Sequence, residues 1–191
     1  MKRAYIIHGW GGSPRETIHQ WIKKELEKKG FDVVAPEMPN TDEPEINAWV
    51  GKLLEIIKNP DEETILIGHS IGCQTILRYL EKIPEKTEIN KIILIAPWMH
   101  LDEETIKEEG EEGIEIARPW IETPIDFEKV KKHCNNFHAI FSDNDPFVPL
   151  SDEKIFKKEL NAKTQILHNK GHFTEGDGVK EIPEVLEILE K

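Results

Sequence analysis

The chain has 191 residues, 38% of them hydrophobic, which is enough for one sizeable core and too little for two comfortable domains. Its 25 basic and 37 acidic residues give a net charge of −12, and the acidic residues are spread along the chain. This balance disfavours nucleic acid or an anionic membrane surface as a partner, and we expect a single domain over 1–191.

The cysteines and the first residues of the chain indicate where in the cell the protein is expected. Only Cys73 and Cys134 are present, without a CxxC pair or a zinc-like Cys/His spacing, so neither a disulfide framework nor a structural metal is expected. The apolar stretch before His8 is too short for the core of a signal peptide, and no run approaches the length of a membrane span. We therefore expect a cytoplasmic protein.

Short apolar runs with helical segments between them indicate the fold class. The predicted strands cover 4–7, 31–35, 64–67, 91–96, 137–141 and 164–167. The predicted helices cover 15–29, 44–58, 70–82, 152–160 and 182–190. The alternation predicts an α/β fold with a mostly parallel six-stranded sheet, helices on both faces, and ligands at the carboxyl ends of the strands.

The interval 97–124 interrupts this alternation. It is rich in Glu over 103–115 and is bounded by Trp98 and Trp120. A solvated helix without function is one interpretation, because charge runs usually face water. The flanking tryptophans favour the other interpretation, a short lid-like excursion over the edge of the sheet.

A serine motif lies at the junction between the third strand and the following helix. The sequence GHSIG at 68–72 matches G-x-S-x-G, in which the glycines allow a sharp turn and the turn exposes the serine. Ser70 would then stand at the amino end of a helix, where free N–H groups favour a developing negative charge. Ser70 is the predicted nucleophile.

A serine hydroxyl needs a base and an orienting carboxylate to act as a nucleophile near neutral pH. SDNDPFVP at 142–149 follows the fifth predicted strand, and KGHF at 170–173 follows the sixth. The chain order Ser70, Asp145, His172 is that of α/β-hydrolases.

Other residues compete for these two roles. Asp143 is the alternative acid, although it could simply cap a turn, and the D-x-D pattern lacks the Gly and Glu of a calcium loop. His172 is preferred as the base because it follows a glycine in the loop after the last strand. The histidines that also lie close to strand ends are His8, His69, His100 and His168.

The glycine-rich stretch HGWGGS at 8–13 follows the first strand and permits close backbone approach to a reacting group. We assign the backbone N–H groups of Trp10 and Ile71 to an oxyanion hole. A dinucleotide-binding G-x-G-x-x-G would need glycine where Pro14 stands, and no P-loop pattern occurs, so no organic cofactor is expected.

Together these motifs resemble the small α/β-hydrolase-fold serine hydrolases typified by retinoblastoma-binding protein 9 and its bacterial relatives. The resemblance covers nearly the whole chain and includes HGWGG at 8–12, GHSIG at 68–72, APW at 96–98, RPW at 118–120, DPFVP at 145–149 and GHF at 171–173. It implies a minimal α/β-hydrolase fold and the triad Ser70, Asp145 and His172. The Leu-x-Cys-x-Glu motif of retinoblastoma binding is absent around both cysteines, so that partner is not expected, and 118–126 is extended by a few residues.

The resulting hypothesis is a carboxylesterase-like hydrolase that cleaves a small acyl ester through an acyl-enzyme. It needs no metal. Trp98 and Trp120 are candidate walls of an apolar acyl pocket, or else ordinary core residues. The alternatives are an amidase or peptidase with the same triad, and a non-catalytic binding module that retains the fold.

Overall fold

The computed structural model describes residues 1–108 and 111–190. Six strands form one sheet in the order β2-β1-β3-β4-β5-β6. The strands are β1 Arg3–Ile7, β2 Asp32–Val34, β3 Thr64–His69, β4 Lys91–Ile95, β5 Phe137–Ser142 and β6 Lys163–Leu167. The helices are α1 Thr17–Lys28, α2 Ile46–Ile56, α3 Ile71–Leu80, α4 Glu103–Glu108, α5 Glu111–Glu122, α6 Phe127–Lys131, α7 Glu153–Leu160 and α8 Pro183–Leu189. The predicted α/β class is confirmed, and every strand pair described is parallel.

The sheet separates two apolar cores because helices cover both of its faces. In β4, Ile92 and Leu94 pack into one core, whereas Ile93 and Ile95 pack into the other. All four side chains are fully buried, so a strand of this kind lacks a polar face and is a continuous apolar run in the sequence. Helices α1 and α8 pack on one face, and α2, α3, α6 and α7 pack on the other.

The interval 97–124 contains α4 and α5, which contact each other, while residues 109–110 lie outside the described part of the chain. Helix α6 follows and was not predicted from the sequence pattern. Its first turn is capped by Asp126, whose side chain accepts a hydrogen bond from the Lys129 N–H. None of the helices in residues 1–108 and 111–190 has the length and apolarity needed to cross a bilayer.

The strand order places a crevice at one point of the sheet edge. Strand β2 lies on one side of β1, and β3 lies on its other side. The connections that follow β1 and β3 therefore lead away from each other, toward opposite edges of the sheet. Parallel α/β sheets bind ligands at such switch points, beyond the carboxyl ends of the strands. Trp10 follows β1 and Ser70 follows β3, so both residues lie at this crevice.

Candidate active site

Ser70 occupies a strained turn between β3 and α3. Its backbone angles are φ 53° and ψ −122°, outside the regions that residues other than glycine favour. Its N–H donates to Ile95 O at 2.9 Å, and its carbonyl accepts from Cys73 N–H at 2.9 Å. Strain of this kind costs about 1–3 kcal/mol and persists where surrounding contacts enforce it. The hydrogen bonds of its N–H and its carbonyl hold Ser70 in this conformation.

The two glycines of GHSIG are required by backbone contacts. A Cβ added at Gly68 would lie 2.8 Å from Cys73 N, and one at Gly72 would lie 2.4 Å from Ile7 O. Both distances are well below the roughly 3.5 Å optimum for non-bonded heavy atoms. Glycine at 72 therefore lets α3 pack this closely against the end of β1, and glycine at 68 lets β3 lie this close to Cys73.

The two residues assigned to an oxyanion hole have backbone N–H groups without a backbone acceptor in the described part of the chain. Ile71 is the first residue of α3, so its N–H has no acceptor within the helix. The Trp10 N–H donates to no backbone acceptor in the described loops, whereas the next amide, of Gly11, donates to Thr41 O at 2.8 Å. Trp10 and Ile71 line the same cavity as Ser70. Two unpaired N–H groups at one cavity can stabilise a developing oxyanion.

His172 is held by a buried carboxylate. Its Nδ1 lies 2.8 Å from Asp145 Oδ2, and the two side chains are 13% and 2% exposed. The other oxygen, Oδ1, accepts the N–H groups of Phe147 at 2.9 Å and Val148 at 3.0 Å. Because the carboxylate accepts the Nδ1 proton, Nε2 carries the lone pair that a general base needs.

The neighbouring acid, Asp143, has different partners. Its Oδ2 pairs with His168 Nδ1, and its Oδ1 accepts the Asn169 N–H at 2.9 Å. Asp143 therefore closes the loop that follows β6. The structure brings Asp145, and not Asp143, to His172.

Two of the competing histidines are engaged away from Ser70. His8 Nδ1 lies 2.8 Å from Gly9 O, its Nε2 accepts the Met38 N–H at 3.2 Å, and burial lowers its pKa. His100 Nδ1 lies 2.7 Å from the buried Asp152 Oδ1. Both of these rings anchor loops.

The loop that carries His172 depends on Gly171, on Asp177, which sequence reasoning missed, and on His69, which was considered only as a competing base. Gly171 has φ 51°, and a Cβ there would lie 2.1 Å from Asp177 Oδ1. Asp177 Oδ2 accepts the N–H groups of His172 and Thr174, each at 3.0 Å. His69 Nε2 lies 2.8 Å from the carbonyl oxygen of His172. Asp177 and His69 thus position His172; the only signal for Asp177 was an acidic residue in a turn-rich loop.

The cysteine nearest the turn is not a competing nucleophile. Cys73 is buried, its thiol donates to Ile95 O at 3.3 Å, and burial raises its pKa. A thiol kept protonated is a weak nucleophile.

A cavity of about 440 Å³ opens above Ser70. Its wall is mainly apolar, with two acidic residues, and the helix α5 forms part of it. The lining residues are Trp10, Gly11, Asp42, Ser70, Ile71, Trp98, Leu101, Ile106, Glu112, Gly113, Ile116, Phe147 and His172. A space of this size can hold a small organic ligand.

The two tryptophans that bound the excursion have different places. Trp98 lines the cavity. Trp120 is fully buried against Trp49, with ring centroids 6.2 Å apart, and its Nε1 donates to Pro44 O at 2.8 Å. Trp120 does not line the cavity above Ser70, so its place is that of a core residue.

Ser70 and His172 share the cavity wall, but no hydrogen bond joins their side chains in the described part of the chain. The ring of His172 is fixed by Asp145 and by a T-shaped contact with Phe147, whose ring centroid lies 5.1 Å away. Hydrogen bonds between a nucleophile and its base are often long without substrate and tighten when substrate binds. The arrangement suits proton transfer from Ser70 to His172.

An all-parallel sheet with a serine on a strained turn at its switch point defines the α/β-hydrolase class. The family model described as serine hydrolase matches residues 4–191, and the chain belongs to this family.

Relatives match over nearly the whole chain. The Bacillus subtilis (strain 168) protein YdeN is 27% identical over 188 residues, covering 98% of this chain and 94% of YdeN. The serine hydrolase RBBP9 of Rattus norvegicus is 30% identical over 175 residues, covering 90% of this chain and 87% of RBBP9. The predicted resemblance is thereby confirmed.

Solved structures agree with this assignment. The crystal structure of the ydeN gene product from B. subtilis superposes with a TM-score of 0.88 at 27% identity, covering 99% of this chain and 97% of the other. A carboxylesterase structure from the thaumarchaeon Nitrososphaera gargenis has a TM-score of 0.69 at 18% identity, covering 98% and 88% of the two chains, and supports the fold alone. The protein is a serine hydrolase of the RBBP9 and YdeN type.

Proposed function

We propose that this enzyme is a carboxylesterase-like hydrolase that cleaves small acyl esters through Ser70, His172 and Asp145. The observation that carries the proposal is the shared cavity wall of Ser70 and His172, with His172 Nδ1 held 2.8 Å from the buried Asp145 carboxylate. A strained serine and an oriented imidazole at one cavity are the parts that acyl transfer requires.

In this mechanism Ser70 Oγ attacks the ester carbonyl while His172 Nε2 takes its proton. Asp145 stabilises the imidazolium that forms and keeps Nδ1 protonated. The N–H groups of Trp10 and Ile71 bind the oxyanion of the tetrahedral intermediate. His172 then gives the proton to the leaving alcohol, and a water molecule, activated by the same imidazole, releases the acid from the acyl-enzyme.

The cavity wall supports a small, apolar acyl group. Trp98, Leu101 and Phe147 contribute apolar surface, and Ile106 and Ile116 add surface from α4 and α5. We propose that 97–124 acts as a lid whose helices α4 and α5 close over the acyl group. The two free, buried thiols suit a reducing compartment such as the cytoplasm.

A fluorophosphonate probe tests the nucleophile, because it labels only an activated serine. Wild-type protein should be labelled, and Ser70→Ala should not. Ser151→Ala, at an exposed serine, is the matched control and should be labelled like wild type. An unlabelled wild-type protein would favour the non-catalytic binding module, and labelling that survives Ser70→Ala would assign the reaction to another residue.

A substrate panel tests the ester preference. We expect p-nitrophenyl acetate and butyrate to be hydrolysed with a higher kcat/KM than the corresponding p-nitroanilides. A burst of p-nitrophenol equal to the enzyme concentration would report the acyl-enzyme. The reverse order of kcat/KM would replace the esterase with the amidase or peptidase alternative.

A further inference from the structure

Three side chains that can ligate a metal converge behind the loop 8–13, outside the cavity above Ser70. Glu16 precedes α1, His19 lies in its first turn, and His69 ends β3. One ligand atom from each of these residues lies within 4.8 Å of the other two. None of the three lines the cavity that contains Ser70 and His172.

One ring nitrogen of His69, Nδ1, has a lone pair without a hydrogen-bond partner among the described residues. Its Nε2 lies 2.8 Å from the carbonyl oxygen of His172, and because a carbonyl only accepts, Nε2 carries the proton. Nδ1 is then unprotonated, and it is buried without a hydrogen-bond partner among the described residues.

His19 presents a second bare lone pair. Its Nδ1 lies 3.2 Å from Ser13 O, and because a carbonyl only accepts, Nδ1 carries the proton; Glu16 Oε2 lies 3.0 Å from the same nitrogen. Its Nε2 is therefore unprotonated, and it is also buried without a partner in the described part of the chain. The side chain of His19 is 1% exposed and the His69 residue is 4% exposed, so bulk water does not solvate these nitrogens.

Two glycines of the loop 8–13 let the backbone lie close to two of these side chains. A Cβ at Gly9 would lie 3.3 Å from His69 Nδ1, and one at Gly12 would lie 2.9 Å from Glu16 Oε1. Both glycines of the loop 8–13 therefore allow the imidazole and the carboxylate to approach. The Glu16 side chain is 40% exposed, which gives an ion a path from solvent.

We propose that Glu16, His19 and His69 bind one divalent cation of the zinc type. Two imidazole nitrogens and a carboxylate form a donor set that zinc accepts, with water in the fourth position. Donors bound tetrahedrally at about 2.1 Å lie about 3.4 Å apart. The ligand atoms of the cluster lie within 4.8 Å of one another, so binding draws them together, and the Glu16 carboxylate leaves His19 Nδ1 to reach the ion at Nε2. Each imidazole also donates its other N–H to a backbone carbonyl, the usual support of a metal-bound histidine.

The ion would have a structural role, because its ligands lie behind the loop 8–13 and not in the cavity. It would join the start of α1 to the end of β3. Through the His69 Nε2–H it would also fix the backbone of His172. The ring of His8 is not a ligand, since both of its nitrogens already have backbone partners.

The test is Zn²⁺ binding to the intact, EDTA-treated protein, followed by titration calorimetry and by the visible spectrum of Co²⁺. We expect one ion per chain, a Zn²⁺-dependent rise in melting temperature, and a loss of affinity of more than about 100-fold in His19→Gln and Glu16→Gln, because even outer-shell changes cost 10–100-fold. Glu16→Gln changes a partly exposed side chain, so it tests the site even if His19→Gln does not fold.

Two control variants separate this site from other imidazoles. His168→Gln removes an exposed histidine paired with Asp143, and His172→Ala removes the imidazole of the cavity but keeps its carbonyl. Both should bind Zn²⁺ within about threefold of wild type, a difference of about 0.7 kcal/mol. Failure of wild type to bind, or binding that survives Glu16→Gln and His19→Gln, or binding lost in either control, would overturn the proposal. The readout is binding, so its outcome is independent of the proposed esterase activity.

Discussion

Asp145→Asn exchanges one oxygen of the carboxylate that holds His172 for an NH₂ group. The structure limits the replacement to two orientations. With its oxygen toward Phe147 and Val148, the amide keeps both backbone hydrogen bonds of Asp145 Oδ1 and turns its NH₂ toward His172 Nδ1. Nδ1 must then accept, the proton moves to Nε2, and the imidazole can no longer take the proton of Ser70.

In the other orientation the amide oxygen faces His172 Nδ1 and the reactive tautomer is kept. The NH₂ group then faces the N–H groups of Phe147 and Val148, and these donors lose their acceptor. Each buried donor left unpaired costs about 1–3 kcal/mol, so this orientation is disfavoured by about 2–6 kcal/mol, or about 30-fold to 3 × 10⁴-fold in population. Loss of the negative charge beside the imidazolium adds to this factor. We therefore expect kcat to fall by about 10³- to 10⁴-fold, the size of effect seen when a triad aspartate becomes asparagine.

The assay is p-nitrophenyl acetate hydrolysis by purified wild type, Asp145→Asn and Asp143→Asn. Asp143→Asn is the matched control, because it makes the same chemical change at a carboxylate that pairs with His168 instead of His172. It should keep kcat within about threefold of wild type, and both variants should retain the wild-type circular dichroism. If Asp145→Asn keeps a tenth of the activity, or if Asp143→Asn loses more than Asp145→Asn, the assigned role of Asp145 is wrong.

Three further predictions rest on other contacts. Gly72→Ala should lower the free energy of unfolding in urea by at least about 1–3 kcal/mol, because its Cβ would lie 2.4 Å from the last carbonyl oxygen of β1; Gly51→Ala, with nothing within 4 Å, should instead raise it by about 0.5–1 kcal/mol. Cys73 and Cys134 should resist iodoacetamide at pH 8 in the native protein and react in guanidinium, because burial raises both pKa values, that of Cys134 to about 11; mass spectrometry that finds native labelling would contradict this. Esters with a free carboxylate should be poorer substrates than neutral esters, because Glu112 lines the cavity and repels a negative charge. In Glu112→Gln the kcat/KM values of the two kinds of ester should lie closer together. An unchanged ratio of these values would show that Glu112 does not select the substrate.

Residue order and local pattern determined the class of this protein. Apolar runs and helical segments alternate because each parallel strand needs a crossover that returns the chain to the same edge of the sheet. Motifs placed after β3, β5 and β6 must therefore converge at that edge. GHSIG was informative alone, because it stands where a strand passes into a helix, and the contacts that require Gly68 lie within the motif and the residue after it. The contact that requires Gly72 is with the end of β1, which the motif alone does not contain.

Only the tertiary structure decided which of several suitable side chains meet. Asp143 and Asp145 follow the same strand, and the turn between them, not their chemistry, directs Asp145 to His172 and Asp143 to His168. Trp98 and Trp120 both belong to the core, but of the two only Trp98 also lines the cavity above Ser70, whereas Trp120 packs on Trp49, a residue far away in sequence. The convergence of Glu16 and His19 with His69 likewise depends on how α1 packs beside the end of β3, since long-range packing sets these distances and leaves no periodic signal in the chain.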